Sequence, residues 1–258
     1  MALFIAKTVL VPALFFFGSS SVVRVYNDDF TKSQKASFKI NNVKTVTGYT
    51  FNYTDGTPTK NGIKSMQEKF DQKGNRIEEI WYEENGKTAR EASYTFNEEG
   101  IELKNVGMSV HKPFYNNWLY EFNDTTKSIV KYHSQYQLNK EKWVYNYDAN
   151  GNKTQEQYYD VTGEENLRFV FKYDEKGRLA EKIQFDGYDN LYSKWIFIYD
   201  EKGNNITQAQ YNSDSEIQKQ YSMKYDDKGN LTTRFEQNAK GRTESMTVFL
   251  YEFYTTSK

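Results

Sequence analysis

An aromatic residue followed by an acid or an asparagine recurs at Phe70, Phe96, Phe122, Tyr147, Tyr173, Tyr199, Tyr225 and Tyr251, at intervals of 26, 26, 25, 26, 26, 26 and 26 residues. A fixed period of this length marks a repeat architecture, in which each unit is one small element that buries its apolar face only by stacking on its neighbours. The clearest units read YDANGN (147–152), YDEKGR (173–178), YDEKGN (199–204) and YDDKGN (225–230), with FDQKGN (70–75) an earlier relative. An acid opening the turn and a glycine three residues later specify a type I turn closed in the left-handed region, a three-residue hairpin loop. A second, looser turn falls halfway along each unit, at ENGK (84–87), VTGE (161–164), DGYDN (186–190), NSDS (212–215) and NAKG (238–241). Each unit is therefore two strands and two turns, and Pro113 falls at the place of a second turn.

The strand before each repeat aromatic carries bulky residues two and four places back: Tyr94, Tyr120, Tyr145, Phe171, Phe197, Met223 and Phe249, then Trp118, Trp143, Phe169, Trp195 and Tyr221. Even spacing puts these on one sheet face. The loop geometry predicts that even positions of the following strand share that face, which would bring in Ile80, Val106, Tyr132, Ile183, Ala209 and Phe235, then Tyr82, Met108, Tyr159, Phe185 and Tyr211. The odd face would then be polar, with Glu79, Lys131, Glu156, Lys182, Gln208 and Arg234 turned to solvent. A flat sheet with so large an aromatic face is untenable for a soluble monomer. The fold predicted is all-β: an elongated, coiled antiparallel β-sheet built from hairpin repeats of about 26 residues and wound by strand twist around its aromatics.

Composition removes several functions. Of the 258 residues, 44 are aromatic, 34 are Lys or Arg and 35 Asp or Glu, giving a net charge of −1, which argues against nucleic acid as a partner because such binders carry a basic surplus. No cysteine and two histidines leave no disulfide framework, thiolate site or His-rich metal centre, and no cofactor is expected. The turn acids Asp71, Asp148, Asp174, Asp200 and Asp226 lie about two strand spacings apart, ~10 Å, so they read as turn caps rather than as shared calcium ligands. No phosphate-cradling glycine loop, metalloprotease helix or nucleophile elbow is present, and no catalytic residue is assigned.

The N-terminus places Lys7 before an apolar run from Val9 to Phe17 and a small-residue patch at Gly18–Ser21. This order is that of a secretory signal peptide over residues 1–21. The mature chain is then exported to the periplasm, the cell surface or the medium, with no membrane span remaining. Residues 22–63 fall outside the period but alternate as strands at 37–40 and 46–53, and are read as an N-terminal β cap shielding the first edge of a repeat domain over 64–258.

The Y-D-x-x-G-N/R segments resemble the tyrosine-aspartate repeats of the rearrangement-hotspot proteins and teneurins over about residues 64–254. The resemblance implies hairpins that spiral into a shell and a role at cell surfaces. It supplies no catalytic residue, and the D-P-x-G core motif of those proteins is absent here.

Three roles follow. The first is a non-enzymatic exported binding or scaffold module for an extracellular glycan or surface protein. The second is a structural fragment of a larger surface assembly joined through open edge strands. The third is a glycan-active enzyme, which would need two convergent carboxylates. Aromatics at odd, otherwise polar positions are the candidate ligand contacts: Trp81, Tyr115, Tyr158 and Tyr192.

Overall fold

The structure, a computed structural model, describes residues 38–96, 102–109, 112–123, 128–133 and 141–255. Residues 1–21, read from the sequence as a signal peptide, lie outside the described residues. After a helical turn at 38–40 come β1 (Val43–Thr54), the two-residue β2 (Thr57–Pro58), β3 (Ile63–Phe70), β4 (Arg76–Tyr82), β5 (Thr88–Phe96) and β6 (Glu102–Ser109). There follow β7 (Lys112–Asn123), β8 (Ser128–His133), β9 (Lys142–Tyr147), β10 (Lys153–Tyr159), β11 (Glu165–Tyr173) and β12 (Leu179–Asp186). The chain ends with β13 (Leu191–Tyr199), β14 (Asn205–Asn212), β15 (Ile217–Tyr225), β16 (Leu231–Asn238) and β17 (Thr243–Phe253). All pairings are antiparallel, and from β3 to β17 each strand pairs with the next.

The sheet coils far enough for its two ends to meet on a single strand. β1 is paired with β3 on one flank, as at Val46↔Glu68, and with β17 on the other, as at Val46↔Tyr251. The run of pairings therefore leads from β1 through β3 to β17 and back to β1. The open edges imagined for a linear sheet are absent among the described strands, because the N-terminal segment occupies both. Side chains lock the same seam: the Tyr254 hydroxyl donates to the Phe70 carbonyl at 2.7 Å, and Asn41 Nδ2 donates to the Lys228 carbonyl at 3.2 Å. Phe38, 4% exposed, packs edge-on against Phe70 there.

Both turns of every well-defined unit share one geometry. In the turn at 200–204 the Asp200 and Asn204 backbones pair, Gly203 N–H donates to the Asp200 carbonyl, and Gly203 holds φ 90°. The second turns match it, with Asp189 and Ser215 in the left-handed region where the first turns have glycine. The opening Asp or Asn side chain fixes the loop, as where Asp226 Oδ1 accepts from Lys228 N–H and Asn230 N–H at 2.9 and 2.8 Å. These bonds tell why the acids recur, and they leave the carboxylates occupied inside their own turns. Each repeat tyrosine then pins its unit to the one before. The hydroxyls of Tyr173, Tyr199, Tyr225 and Tyr251 donate at 2.8–2.9 Å to the carbonyls of Lys153, Leu179, Asn205 and Leu231, the first residues of the preceding downstream strands.

Beyond each turn from β3 to β6 and from β9 to β17 the ladder skips one residue of the downstream strand, whereas the β6–β7, β7–β8 and β8–β9 ladders run without a skip. Phe70 pairs with Arg76, as the loop predicts, but Lys69 then pairs with Glu78, Glu68 with Glu79 and Met66 with Trp81. The same skip follows the second turns, where Tyr82 pairs with Thr88 but Trp81 with Arg90. A bulge of one residue transfers every later side chain to the other face. The strands before the repeat aromatics keep their predicted orientation, with Trp143, Phe169, Phe171, Trp195, Phe197, Tyr221 and Met223 forming a buried cluster. The downstream strands are reversed. Glu79, Glu156, Lys182 and Gln208 are inside, each 8% exposed or less, and Ile80, Ile183, Tyr159, Phe185 and Tyr211 take the other face; Lys131, also 8% exposed, is buried opposite Tyr120 in a ladder without a skip. Pro113 also departs from expectation, lying within β7 opposite Met108 rather than in a turn.

Trp143 and Trp195 are 8% and 6% exposed, so Trp143→Ala and Trp195→Ala should each lose about 3 to 5 kcal/mol in chemical denaturation. Trp81, partly buried against the cluster around Met66 and Phe70, should fall between these losses and zero. Equal small losses at all three would contradict the aromatic core.

Candidate functional site

The inner face combines aromatic rings with charge. Lys153 Nζ lies 4.6 Å from the Phe171 ring centre and 2.7 Å from Glu156 Oε2, with both side chains 3% exposed. Lys182 Nζ sits 3.9 Å over Phe169, and the Arg234 guanidinium 5.3 Å over Tyr221. At the other end of the sheet Arg76 bridges Glu68 at 2.9 Å and Glu79 at 2.8 Å while covering the Tyr94 ring, and Glu79 is also paired with Arg90. Ring quadrupoles and counter-charges replace the water these groups give up. Burial raises the Glu68 carboxyl above its ordinary range, against the pull of Arg76. Burial likewise raises Glu141, which accepts a hydrogen bond from Tyr158.

The outer face carries a regular row at the second-turn end. Tyr159 faces Lys142 across the ladder, Phe185 faces Arg168, and Tyr211 faces Lys194. Each cation lies over its ring, at 4.8, 5.1 and 5.6 Å from the centre, and Lys64 stands 4.7 Å over Tyr82 in a fourth unit. All six members of the three consecutive pairs are partly exposed. Tyr159 donates to Glu165 at 3.3 Å, and burial followed by the Glu165 charge raises its hydroxyl. Arg168 is shared with Asp189 and with Glu165 at 3.8 Å, whereas among the described residues Lys142 and Lys194 have no carboxylate partner. Tyr188 and Tyr192, 89% and 50% exposed, project from the hairpin between β12 and β13.

The candidate ligand contacts named from the sequence do not assemble. Trp81 and Tyr158 belong to the inner face, because the bulge inverts β4 and β10; Trp81 packs beside Met66, and Tyr158 lies 5.0 Å from the Trp143 ring. Tyr192 is exposed as expected, being the residue skipped between Leu191 and Ser193 in pairing with β12. Tyr115 lies in β7 opposite Val106, and its side chain is outside the described residues. These four sit on β4, β7, β10 and β13, three strands or ~14 Å apart in succession. The outer row was missed because its rings were assigned to the core. One signal for it stands in the sequence: a cation 17 residues before the ring in each of three consecutive units, Lys142 to Tyr159, Arg168 to Phe185 and Lys194 to Tyr211.

The turn acids behave as caps. Hydrogen bonds from Thr162 and Asn166 hold the Asp160 carboxyl down at about 2, and those from Asn190 lower Asp186. At Asp174, Asp200 and Asp226 partial desolvation opposes the shift and is outweighed by bonds from Arg178, Asn204 and Asn230. Among the described residues no group of three or more His, Cys, Asp or Glu side chains could hold a metal ion. No helix of the described residues is long and apolar enough to cross a membrane.

No family model and no curated protein matches the chain. Among solved structures it is similar to a porin-like protein from Bacteroides uniformis, with a TM-score of 0.33 and 12% identity over 82% of this chain and 97% of that one. A porin-like protein from Bacteroides vulgatus gives 0.34 and 12% over 81% and 98%, and a DUF1329 family protein from Desulfovibrio piger 0.31 and 9% over 89% and 94%. Scores this low do not establish a shared fold.

The raised Glu68 carboxyl has a definite sign. A group whose folded pKa lies above its unfolded value favours the fold at low pH, and this contribution is lost as pH rises from 4.5, the ordinary value, through the raised one. Glu68→Gln should therefore flatten the decline in melting temperature over that rise and leave stability at neutral pH equal or higher. A large loss at neutral pH would mean that the Arg76 pair outweighs desolvation.

Proposed function

We propose that this chain is an exported, non-catalytic binding module whose working surface is the outer face of β9–β14. The observation that carries this reading is the ring and cation pair repeated at the same place in three consecutive hairpins, Lys142/Tyr159, Arg168/Phe185 and Lys194/Tyr211. Repetition at the unit period sets rings and cations at regular intervals on an exposed face, which suits an extended ligand with a repeat of its own. Phenol and phenyl faces stack on sugar rings while the flanking polar groups bond their hydroxyls. The partner proposed is an extracellular glycan lying across the strands. Export is supported by the order of Lys7, the apolar run to Phe17 and the small residues that follow. The inner face serves as the scaffold that holds the row in register. A role as a link in a larger assembly is less well supported, since β1 fills the edges through which strands would join.

Cross-strand pairs on an exposed face contribute roughly 0.2 to 1 kcal/mol each. The triple variant Tyr159→Ala, Phe185→Ala, Tyr211→Ala should therefore fold with a modest drop in melting temperature and lose retention on polysaccharide columns in affinity electrophoresis. Undiminished retention would refute the assigned surface, and N-terminal sequencing of native protein that finds Met1 intact would refute export.

A further inference from the structure

The spacing and charge of the outer row go further than a general affinity for sugars. Tyr159, Phe185 and Tyr211 stand on β10, β12 and β14, so successive rings are two strand spacings apart, ~10 Å. That separation is on the scale of one disaccharide in an extended glycan and offers one stacking ring for every second sugar. The cation accompanies the ring with the same period, since Lys142, Arg168 and Lys194 lie on β9, β11 and β13. We infer that the row recognises a linear acidic glycan built of disaccharides, with one carboxylate or sulfate in each, resting on the binding-module reading above.

The electrostatics of the row are uneven in a way that fits this ligand. Lys142 and Lys194 at the two ends hold their ammonium groups over ring faces at 4.8 and 5.6 Å and form no ion pair among the described residues, the nearby Glu165 being engaged by Tyr159 and Arg168. The central Arg168 is held by Asp189 and Glu165, which fix its plane over Phe185. Two lysines without an ion pair among the described residues flank a guanidinium oriented by carboxylates. A partly exposed ammonium on an aromatic face keeps its donors directed outward, where a carboxylate or sulfate can accept them. A single-stranded nucleic acid fits less well. Such ligands stack successive bases on successive aromatic platforms, and here the alternate strand offers a cation instead of a ring.

The test is calorimetric titration of the mature protein with hyaluronan and chondroitin sulfate oligosaccharides, an uncharged chitin oligosaccharide and oligo-dT. The acidic glycans should bind more tightly than the chitin oligosaccharide, and their affinity should fall as salt rises. The double variant Lys142→Gln, Lys194→Gln should lose at least about tenfold in affinity for them, and Lys142→Arg, Lys194→Arg should retain it. Equal binding of charged and uncharged oligosaccharides, insensitive to the glutamine variant, would overturn the acidic-glycan inference while leaving a sugar-binding row intact. Tighter binding of oligo-dT would overturn it in favour of nucleic acid. Binding of no glycan at all would remove both the inference and the reading on which it rests.

Discussion

The bulge that follows the hairpin turns of β3–β6 and β9–β17 is the constraint on which the remaining structure depends. A left-handed residue at the fourth turn position closes the loop, as Gly203 does at φ 90°, and one residue of the downstream strand then stands without a partner. Alternation along a strand is strict, so this single extra residue decides which face all later side chains take. In the units of β3–β5 and β9–β17 two such skips occur, one after each turn, and the second undoes the first. The result is a sheet whose upstream strands turn aromatics inward and whose downstream strands turn acids, lysines and glutamines inward beside them.

An inner face of this kind is costly unless every charge has a substitute for water. The fold supplies substitutes of two kinds, counter-ions and ring faces. Lys153 has both in Glu156 and Phe171, Arg76 has Glu68, Glu79 and Tyr94, and Lys182 rests on Phe169. The abundance of aromatics and the shortage of aliphatic residues follow from this, because an alkyl side chain could fill the space but could not stabilise a buried ammonium. The reversal also leaves Tyr159, Phe185 and Tyr211 outside, where each carries a cation of its own. One local feature of the backbone thus produces both the polar interior and the surface assigned to binding.

The period, the turn chemistry and the inward Trp143, Phe169, Trp195 and Tyr221 were legible in the sequence because each is local or repeats at an even spacing. The inversion was not legible. Two skips leave the unit length even, so a 26-residue period looks the same with both bulges as with neither. Trp81 and Tyr158 were therefore placed outside and Tyr159 inside, the reverse of what the pairings give. The meeting of the sheet's ends was hidden for another reason, since pairing of Val46 with both Glu68 and Tyr251 depends on accumulated coiling over fifteen strands, which no local segment encodes. The tyrosine in the repeat motif acts at longer range, through its hydroxyl on the preceding unit, a contact that the turn chemistry of the motif does not announce.

The absence of cysteine makes the inversion directly measurable. Lys182 and Ile183 are neighbours in β12, and the bulge places the first inside, 5% exposed, and the second outside and partly exposed. Single variants Lys182→Cys and Ile183→Cys would be treated with a maleimide under native conditions and the labelling rates compared with those in denaturant. Fast native labelling at 183 with strong protection at 182 is the result this account predicts; protection at 183 with fast labelling at 182 would contradict it.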